Sequence, residues 1–533
     1  MRIIVSAGLA ALLMLAACAG GAEDDDAAEQ AQTRGDWPAF VDATLEQWFR
    51  IDPAFAVYQG RHDFDGQLPD WSEAGLRRRA DFLNDTIRRA RAFGGLTGDA
   101  AFERDYMIQV ARGQLFWLTD ADQPHRNPAF YVGGGLDPNV YVARPYAAPA
   151  VRMRAAIAFL KNVPDAAQRI RANLRGPMPE SFVDYGIAAF DGFAAYYRSD
   201  LPRAFAGVGT GEQQRALAEG AARASEAMAG LASSLREGRA TATHDFALGP
   251  ERFARMLDAT EAVDTPLGAL EAAGRADLDR NRAALAAACR RYAPGIGIAA
   301  CIERINALKP EGGPVAGARR QLPELRAFIV AHDLVTIPAA DTAQVAESPP
   351  YNRQNAAYID PPGPYQRGVP AIYYIAPPDP AWPAAMQRDF VPGEPDLLFT
   401  SAHEVWPGHF LQFLHSNRAR SSVGRVFVGY AFAEGWSHYA EEMVLEAGLR
   451  DSDPTAEIGQ LSNALLRDCR FLSAIGLHAR GMTQAESERM FRDECFQDAG
   501  NARQQAARGT YYPAYLNYTL GKLMIRRLRD DWT

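Results

Sequence analysis

The sequence predicts a mainly α-helical protein with two lobes and a small β-sheet beside a cleft. Long stretches rich in Ala, Arg, Leu and Glu carry apolar residues three and four positions apart, as in 76–93 and 216–235. The segment 338–396 holds 13 of the 34 prolines, which favours loops and short strands there. About 500 residues follow the N-terminal segment, more than one hydrophobic core usually accommodates.

The N-terminus has the features of a bacterial export signal. Met1-Arg2 precedes an apolar run over 3–17, and Leu15-Ala16-Ala17-Cys18 matches the pattern in which the cysteine is acylated after cleavage. Residues 1–17 are therefore predicted to be a signal peptide and 18–35 a lipidated acidic linker that is too polar to bury. An ordinary signal peptide with an unrelated cysteine is the alternative.

The predicted anchor implies a location in the cell envelope. The lipid on Cys18 would hold the protein on a membrane, and the folded part would face the periplasm. Ala19 stands where lipoproteins of the inner membrane commonly carry aspartate, which favours the outer membrane over the inner. The apolar run is too short for a stable transmembrane helix.

The mature chain divides into two predicted lobes. Residues 36–331 are predicted to form a lobe of stacked helices, which starts at Asp36-Trp37-Pro38 with a capping side chain and an early proline. Residues 332–533 are predicted to form a second lobe of proline-rich loops and helices, and its residues carry the predicted chemistry. The net charge of −9, with both signs mixed along the chain, excludes a nucleic-acid binder. The oligomeric state stays open.

Four cysteines follow Cys18 in a compartment that permits disulfides. Sequence proximity favours the pairs Cys289–Cys301 and Cys469–Cys495. The other connectivities and free buried thiols are the alternatives.

The strongest strand prediction is the aromatic and β-branched run at 371–375, bounded by prolines. As an edge strand it could pair with an extended peptide. An internal strand of a small sheet is the alternative.

The stretch His403-Glu404-Val405-Trp406-Pro407-Gly408-His409 carries the main chemical prediction. Its histidines are six residues apart, which would leave them about 120° apart around a regular helix. Pro407 cannot donate a backbone hydrogen bond to the residue four positions earlier, which is His403. The helix is therefore predicted to bulge or break, with Gly408 tolerating the unusual backbone, so that both imidazoles reach one ion.

These residues predict a site for one Zn²⁺ ion. Glu434, 31 residues after His403, offers a third ligand and completes a set of two histidines and a glutamate with one open position. Glu404 is then the predicted general base for a water that the metal activates. His438 and Glu441 are predicted to lie behind the ligands and to hydrogen-bond them. A solvated charge for Glu441 and a packed or surface histidine for His438 are the alternatives. An ordinary pair of capped helices with buried histidines is the alternative.

The segments 403–409 and 434–441, the latter with Glu434-Gly435-Trp436, Tyr439 and Glu441, resemble a bacterial family known as domain of unknown function 885. That family is similar to thermolysin-like and oligoendopeptidase-like zinc metallopeptidases. The resemblance covers almost the whole mature chain. It implies a metallopeptidase-like fold, zinc bound by His403, His409 and Glu434, and catalysis by Glu404.

The resemblance also draws attention to Tyr518 and His478 as candidates for stabilising the oxyanion, since related peptidases often use a tyrosine or histidine for this. A packed core position is the alternative for both. The chain departs from the family pattern at Phe410, where a second histidine often follows, and at Ala474, where an aspartate is usual.

The predicted activity is hydrolysis of peptide bonds in the bacterial envelope, with peptides as substrate. The alternative is an inactive, peptidase-like lipoprotein that binds peptides or assists envelope assembly, which the departures at Phe410 and Ala474 would explain. Hydrolysis of another amide would use the same residues. The sequence does not indicate peptide length, or whether cleavage is internal or terminal.

Overall fold

The structure is a computed structural model that describes residues 36–353 and 355–532. About 70% of it is helical, with a small sheet of three strands, so the predicted mainly helical class is confirmed. The two-lobed arrangement of a metallopeptidase stays a prediction. Within the described ranges, no helix is both long enough and apolar enough to cross a membrane. The predicted signal peptide, Cys18 and the acidic linker lie outside these residues.

The chain before the sheet is built from helices that begin at identifiable caps. The Asp36 carboxylate accepts a hydrogen bond from the Ala39 amide at 3.0 Å, and Pro38 lies in the first turn, as the sequence predicts. The helices before the sheet are α1 (Trp37–Ile51), α2 (Pro53–Gln59), α3 (Glu73–Ala92), α4 (Gly98–Leu115), α5 (Gln123–Arg126), α6 (Ala129–Val132), α7 (Asn139–Ala143), α8 (Pro149–Asn173), α9 (Glu180–Arg198), α10 (Asp200–Ala204), α11 (Gly211–Gly238), α12 (Pro250–Glu261), α13 (Leu267–Tyr292), α14 (Ile298–Asn306) and α15 (Pro314–Ala331).

The proline-rich segment forms the sheet. Its strands are β1 (Ala343–Glu347), β2 (Ala357–Asp360) and β3 (Ala371–Ile375), in the order β1-β3-β2. Strand β3 pairs in parallel with β1 and antiparallel with β2. All five residues of β3 are buried, which explains its aromatic and β-branched composition. The interpretation of 371–375 as an edge strand is wrong, because long-range pairing covers both of its edges.

Helices return after the sheet and continue to the C-terminus. They are α16 (Ala384–Phe390), α17 (Glu394–Glu404), α18 (His409–Ser416), α19 (Ser422–Val426), α20 (Tyr430–Glu446), α21 (Pro454–Ala479), α22 (Gln484–Asp493), α23 (Ala499–Tyr511) and α24 (Asn517–Trp532). Helix α21 is buried along most of its length and packs against α13, α17, α22 and α23.

The hydrophobic core has three clusters. The first lies mostly among the helices of the first 240 residues and also includes Tyr351, Val423 and Val426. The second joins residues 116–305 to residues 458–520, and the third surrounds the sheet and α17. The predicted lobe boundary between residues 331 and 332 stays a prediction, and the second cluster contains residues from both sides of it. Both predicted disulfides, Cys289–Cys301 and Cys469–Cys495, are present and confirmed.

Candidate metal centre

The two histidines lie on either side of a break in the helix, as the sequence predicts. Helix α17 ends at Glu404, and α18 begins at His409. Between them the Trp406–Pro407 peptide bond is cis. The second imidazole is therefore presented by a new helix and not by the continuation of the first.

Gly408 is required at this break. A Cβ atom there would lie 1.8 Å from the His403 carbonyl oxygen, so a larger residue could not follow the same path. The indole nitrogen of Trp436 donates a hydrogen bond to the Pro407 carbonyl at 2.9 Å. This contact fixes the break against α20, the helix that carries the third predicted ligand.

The three predicted ligands meet at one point. His403 Nε2 is 3.3 Å and His409 Nε2 is 3.1 Å from the same oxygen, Oε2 of Glu434. One ligand atom from each residue lies within 4.8 Å of the others. A tetrahedral Zn²⁺ with bonds of about 2.0–2.1 Å holds neighbouring ligand atoms roughly 3.3 Å apart, so these distances fit that ion.

Glu441 orients the first histidine from the opposite side. His403 Nδ1 donates to Glu441 Oε1 at 2.7 Å, and the Arg467 guanidinium lies 3.1 Å from the same oxygen. Because Nδ1 carries the proton, Nε2 has its lone pair free for a metal. His438 Nδ1 is 3.5 Å from the other Glu441 oxygen, and both residues are fully buried, so the structure places them behind the ligands.

The charges of the centre require a cation. Burial lowers the pKa of His403, but hydrogen bonds to Glu434 and Glu441 outweigh this effect and raise it to about 9. Burial alone would raise the pKa of Glu434, whereas the charges of His409 and His403 hold it well below its usual range. The positive charge that the carboxylates demand comes either from a second proton on an imidazole or from a metal ion.

Glu404 follows His403 in the chain, and both residues line a cavity beside the predicted ligands. Only 7% of its surface is exposed, and burial raises the pKa of its carboxyl group, while His403 and His409 oppose that rise. A buried carboxylate with a raised pKa that lies close to the ligands is suited to accept a proton.

Tyr518 is brought to the centre by close contact between two helices. A Cβ atom on Gly435 of α20 would lie 2.4 Å from the backbone of Gly521 on α24, so only glycine permits this approach. The Tyr518 ring is then stacked on the His403 ring, with 5.7 Å between centroids. The structure therefore brings together five predicted site residues: His403, Glu404, His409, Glu434 and Tyr518.

Three arginines in the cavity wall were missed by reasoning from sequence. Arg467, Arg470 and Arg508 line the cavity with His403 and Glu404. The guanidinium of Arg470 lies over the Tyr518 ring, 4.7 Å from its centroid. A signal was present, since Arg467 and Arg470 are three residues apart in a stretch rich in apolar residues and must share a face of α21.

His478 is not brought to the centre, contrary to its predicted catalytic role. Its Nε2 donates to the Gly509 carbonyl at 2.7 Å, and its Nδ1 accepts from the Leu248 amide at 3.3 Å. Its ring is also stacked on Phe253, so neither nitrogen faces the cavity. Helix α21 carries His478 about 16 Å beyond Arg467 along its axis.

The two departures from the family pattern lie in the core. Phe410 is 1% exposed and packs edge-on against Trp406, with 5.0 Å between ring centroids. Ala474 is fully buried in the second hydrophobic cluster. The ligand set of His403, His409 and Glu434 is complete without either position.

Comparisons with known proteins agree with the fold. A family model described as "Bacterial protein of unknown function (DUF885)" matches residues 53–533. A solved structure from Shewanella oneidensis is similar with a TM-score of 0.73 and 21% identity, covering 93% of this chain and 94% of that one. Another, from Colwellia psychrerythraea, has a TM-score of 0.76 and 15% identity, covering 94% of this chain and 93% of that one.

Both similar structures are described as a "putative lipoprotein", the former also as of unknown function. These descriptions agree with the expected envelope location and leave the choice of membrane open. No curated protein matches the sequence. At these identities the similarity establishes the fold alone, and the resemblance to zinc peptidases stays a prediction.

Proposed function

This chain belongs to the bacterial DUF885 family of unknown function, and we propose that it is a zinc-dependent hydrolase that cleaves peptide bonds in the cell envelope. The observation that carries the proposal is the convergence of His403, His409 and Glu434 on one point, with the ligand atoms within 4.8 Å of one another. A lipid on Cys18 would hold the enzyme on the periplasmic side of a membrane, with the outer membrane favoured.

Some residues of the centre would bind the metal ion, and others would take part in the reaction. His403, His409 and Glu434 would bind one Zn²⁺ ion and leave one coordination position open. When bound, such an ion polarises a carbonyl and lowers the pKa of a water to about 7. Glu441 keeps the proton on Nδ1 of His403, so that Nε2 remains the ligand atom.

Glu404 performs the proton transfers in this proposal. Its carboxylate takes a proton from the attacking water as the new C–O bond forms. The same proton then passes to the amine nitrogen as the C–N bond breaks, so that Glu404 ends as it began. Tyr518, whose ring is stacked on that of His403, would donate a hydrogen bond to the carbonyl oxygen while negative charge develops there.

The test measures metal content and cleavage in the same preparations. Purified protein should bind one zinc per chain and cleave members of a quenched-fluorescence peptide library, and a chelator should stop cleavage. Glu404→Gln should lower turnover by at least about 10³-fold while leaving zinc bound. Glu394→Gln is the matched control, because Glu394 is at the other end of α17 and interacts with Arg450.

The outcomes separate the alternatives. Zinc binding without cleavage of any peptide would support a peptidase-like binding protein instead. Cleavage of non-peptide amides alone, lost in Glu404→Gln, would keep the chemistry and change the substrate. Protein without zinc, or with undiminished activity in Glu404→Gln, would contradict the proposal.

A further inference from the structure

Two arginines beside the candidate metal centre have no carboxylate partner among residues 36–353 and 355–532. Arg470 is 7% exposed, and its Nε donates to the Gln505 side chain at 2.8 Å, which leaves its two terminal nitrogens for the cavity. Arg508 lies over the Tyr512 ring, 5.3 Å from its centroid. Arg467, in contrast, is ion-paired with Glu441.

None of the groups that interact most strongly with these two arginines is a carboxylate. The groups that interact most strongly with Arg470 and Arg508 are tyrosines, chiefly Tyr518 and Tyr430, and other arginines. Burial lowers the pKa of Arg470 to about 10, and repulsion from Arg508 and Arg467 acts in the same direction. Arg470 stays charged at neutral pH, and a buried charge without a counter-ion is unfavourable.

Four acidic residues line the same cavity. One of them, Glu404, has its strongest attractive interactions with His403 and His409, and the other three also interact with groups other than the two arginines. Asp498 caps α23, accepting hydrogen bonds from the Gly500 and Asn501 amides at 2.9 and 3.1 Å. Asp396 is hydrogen-bonded to Asn463. Asp389 attracts Lys309 and opposes the lowering of the Lys309 pKa by burial. Because no carboxylate of the described residues forms an ion pair with either arginine, an anion from outside the chain could bind both of them.

We propose that Arg470 and Arg508 form a subsite for the free C-terminal carboxylate of a peptide substrate. The inference rests on the proposed function, because it uses the same centre and names the class of peptide. A guanidinium presents its N–H groups in a planar fork that matches a carboxylate. Filling the subsite would give Arg470, which is buried, and Arg508, which is half-buried, a counter-ion that no paired carboxylate of the described residues provides.

The position of the subsite limits the length of the product. Tyr518 is stacked on His403 and lies under Arg470, so one side chain separates the metal ligand from the guanidinium. A peptide advances by about 3.5 Å per residue. The carboxylate would therefore lie one or two residues beyond the cleaved bond, and the enzyme would remove residues from the C-terminus.

Binding to the zinc-loaded Glu404→Gln variant tests the subsite without requiring turnover. The probes are N-acetylated alanine tetrapeptides with a free C-terminal acid, with a C-terminal amide, and with a C-terminal amide whose last residue is glutamate. The free acid should bind about 100-fold more tightly than the plain amide, measured by calorimetry. Equal affinities for acid and amide would overturn the proposal.

The arginine variants connect the preference to the residues. Arg470→Met or Arg508→Met, each combined with Glu404→Gln, should reduce the preference for the acid at least about 10-fold, and Arg470→Lys should restore part of it. Arg503→Met is the matched control, since Arg503 is exposed on the same helix, α23, and should keep the preference. Thermal melting and zinc content show that each variant is folded and loaded. A preference that survives both methionine changes would overturn the assignment.

The two proposals fail in different ways. If the peptide amide that ends in glutamate binds as tightly as the free acid, the subsite also binds a side-chain carboxylate. The assignment to the C-terminal carboxylate is then overturned. If the free acid is preferred but wild-type protein cleaves no peptide, the subsite is supported and the proposed hydrolase activity is contradicted.

Discussion

Helix α24 contributes to two buried charged clusters. In one of them a lysine neutralises the buried carboxylate, whereas in the other no lysine or arginine of the described residues pairs with the ligand carboxylate. Lys522 belongs to the first, which we call the lysine cluster and define by Lys522, Asp277 and Asp468. Tyr518 lies at the second, the metal centre of His403, His409 and Glu434. Lys522 and Tyr518 are one helical turn apart.

The lysine cluster is complete within the chain. Lys522 Nζ lies 2.5 Å from an Asp277 oxygen, and Arg280 is 2.7 Å from the other. Asn281 donates to Asp468 at 2.7 Å. The cation that the Asp277 carboxylate needs is thus supplied by Lys522.

In the metal centre the only ion-pair partners of Glu434 among the described residues are the imidazoles of His403 and His409. Glu434 and Glu441 face the two nitrogens of one imidazole, and no lysine or arginine of the described residues is ion-paired with Glu434. Buried charge alone therefore does not mark a functional site, because both clusters have it. The distinguishing feature is a set of ligand atoms that converge without a lysine or arginine as counter-ion.

Removing a ligand should produce the largest difference between the clusters. His409→Ala leaves two ligands, so we expect zinc content after dialysis to fall from one per chain to near zero and peptide cleavage to be lost. His415→Ala is the control, since His415 is exposed on the same helix, α18. Retention of a full equivalent of zinc in His409→Ala would assign the metal to other residues.

Removing the internal cation should change stability and not metal binding. Lys522→Met leaves Asp277 with Arg280, which is 38% exposed, as its nearest partner. We expect the free energy of unfolding in urea to fall by about 3 kcal/mol, with zinc stoichiometry unchanged. Arg527→Met, an exposed position on α24, should have little effect. If Lys522→Met abolished zinc binding in a folded protein, the two clusters would not be independent.

Weakening the support of His403 should have an intermediate effect. Glu441→Gln removes the charged acceptor of the Nδ1 proton, and we expect zinc affinity, measured by competition with a chelator, to fall about 10–100-fold. Glu442→Gln, the adjacent residue on α20, interacts with Arg526 and Arg280 and serves as the control. Equal affinities in the two variants would mean that Glu441 does not orient the ligand.

Of the substitutions considered, controls aside, Asp468→Asn is expected to change the free energy of unfolding least. Burial raises the pKa of this carboxyl to about 8, with Lys522 opposing the rise and Asp277 adding to it. Because the folded state holds the proton more tightly than the unfolded chain, stability should decrease as the pH rises toward 8. Asp468→Asn imitates the protonated form and should be within about 1 kcal/mol of wild type at pH 5.

Urea unfolding at pH 5 and pH 8 provides the measurement. Wild type should lose more stability over this interval than Asp468→Asn. The same loss in both proteins would show that Asp468 is ionised when folded.

Local signals in the sequence predicted much of the centre. Pro407 and Gly408 predicted the helix break, because the missing N–H and the missing Cβ act within one turn. The disulfides followed from short separations along the chain. The strand at 371–375 was recognised by composition, but its internal place was not, since pairing with β1 and β2 depends on residues far away.

The remaining failures also concern long-range contacts. His478 and Tyr518 both follow apolar helical patterns, and only the packing of α21 and α24 decides which one reaches His403. Arg470 and Arg508 are 38 residues apart on different helices, so their shared cavity has no signal in the local sequence.

The most direct measurement is anomalous scattering at the zinc edge from crystals of the protein loaded with one equivalent of zinc. We predict one strong peak, at about 2.0–2.1 Å from Nε2 of His403 and Nε2 of His409 and within bonding distance of a Glu434 oxygen. A peak at another group of residues, or no peak at these three side chains, would contradict the account.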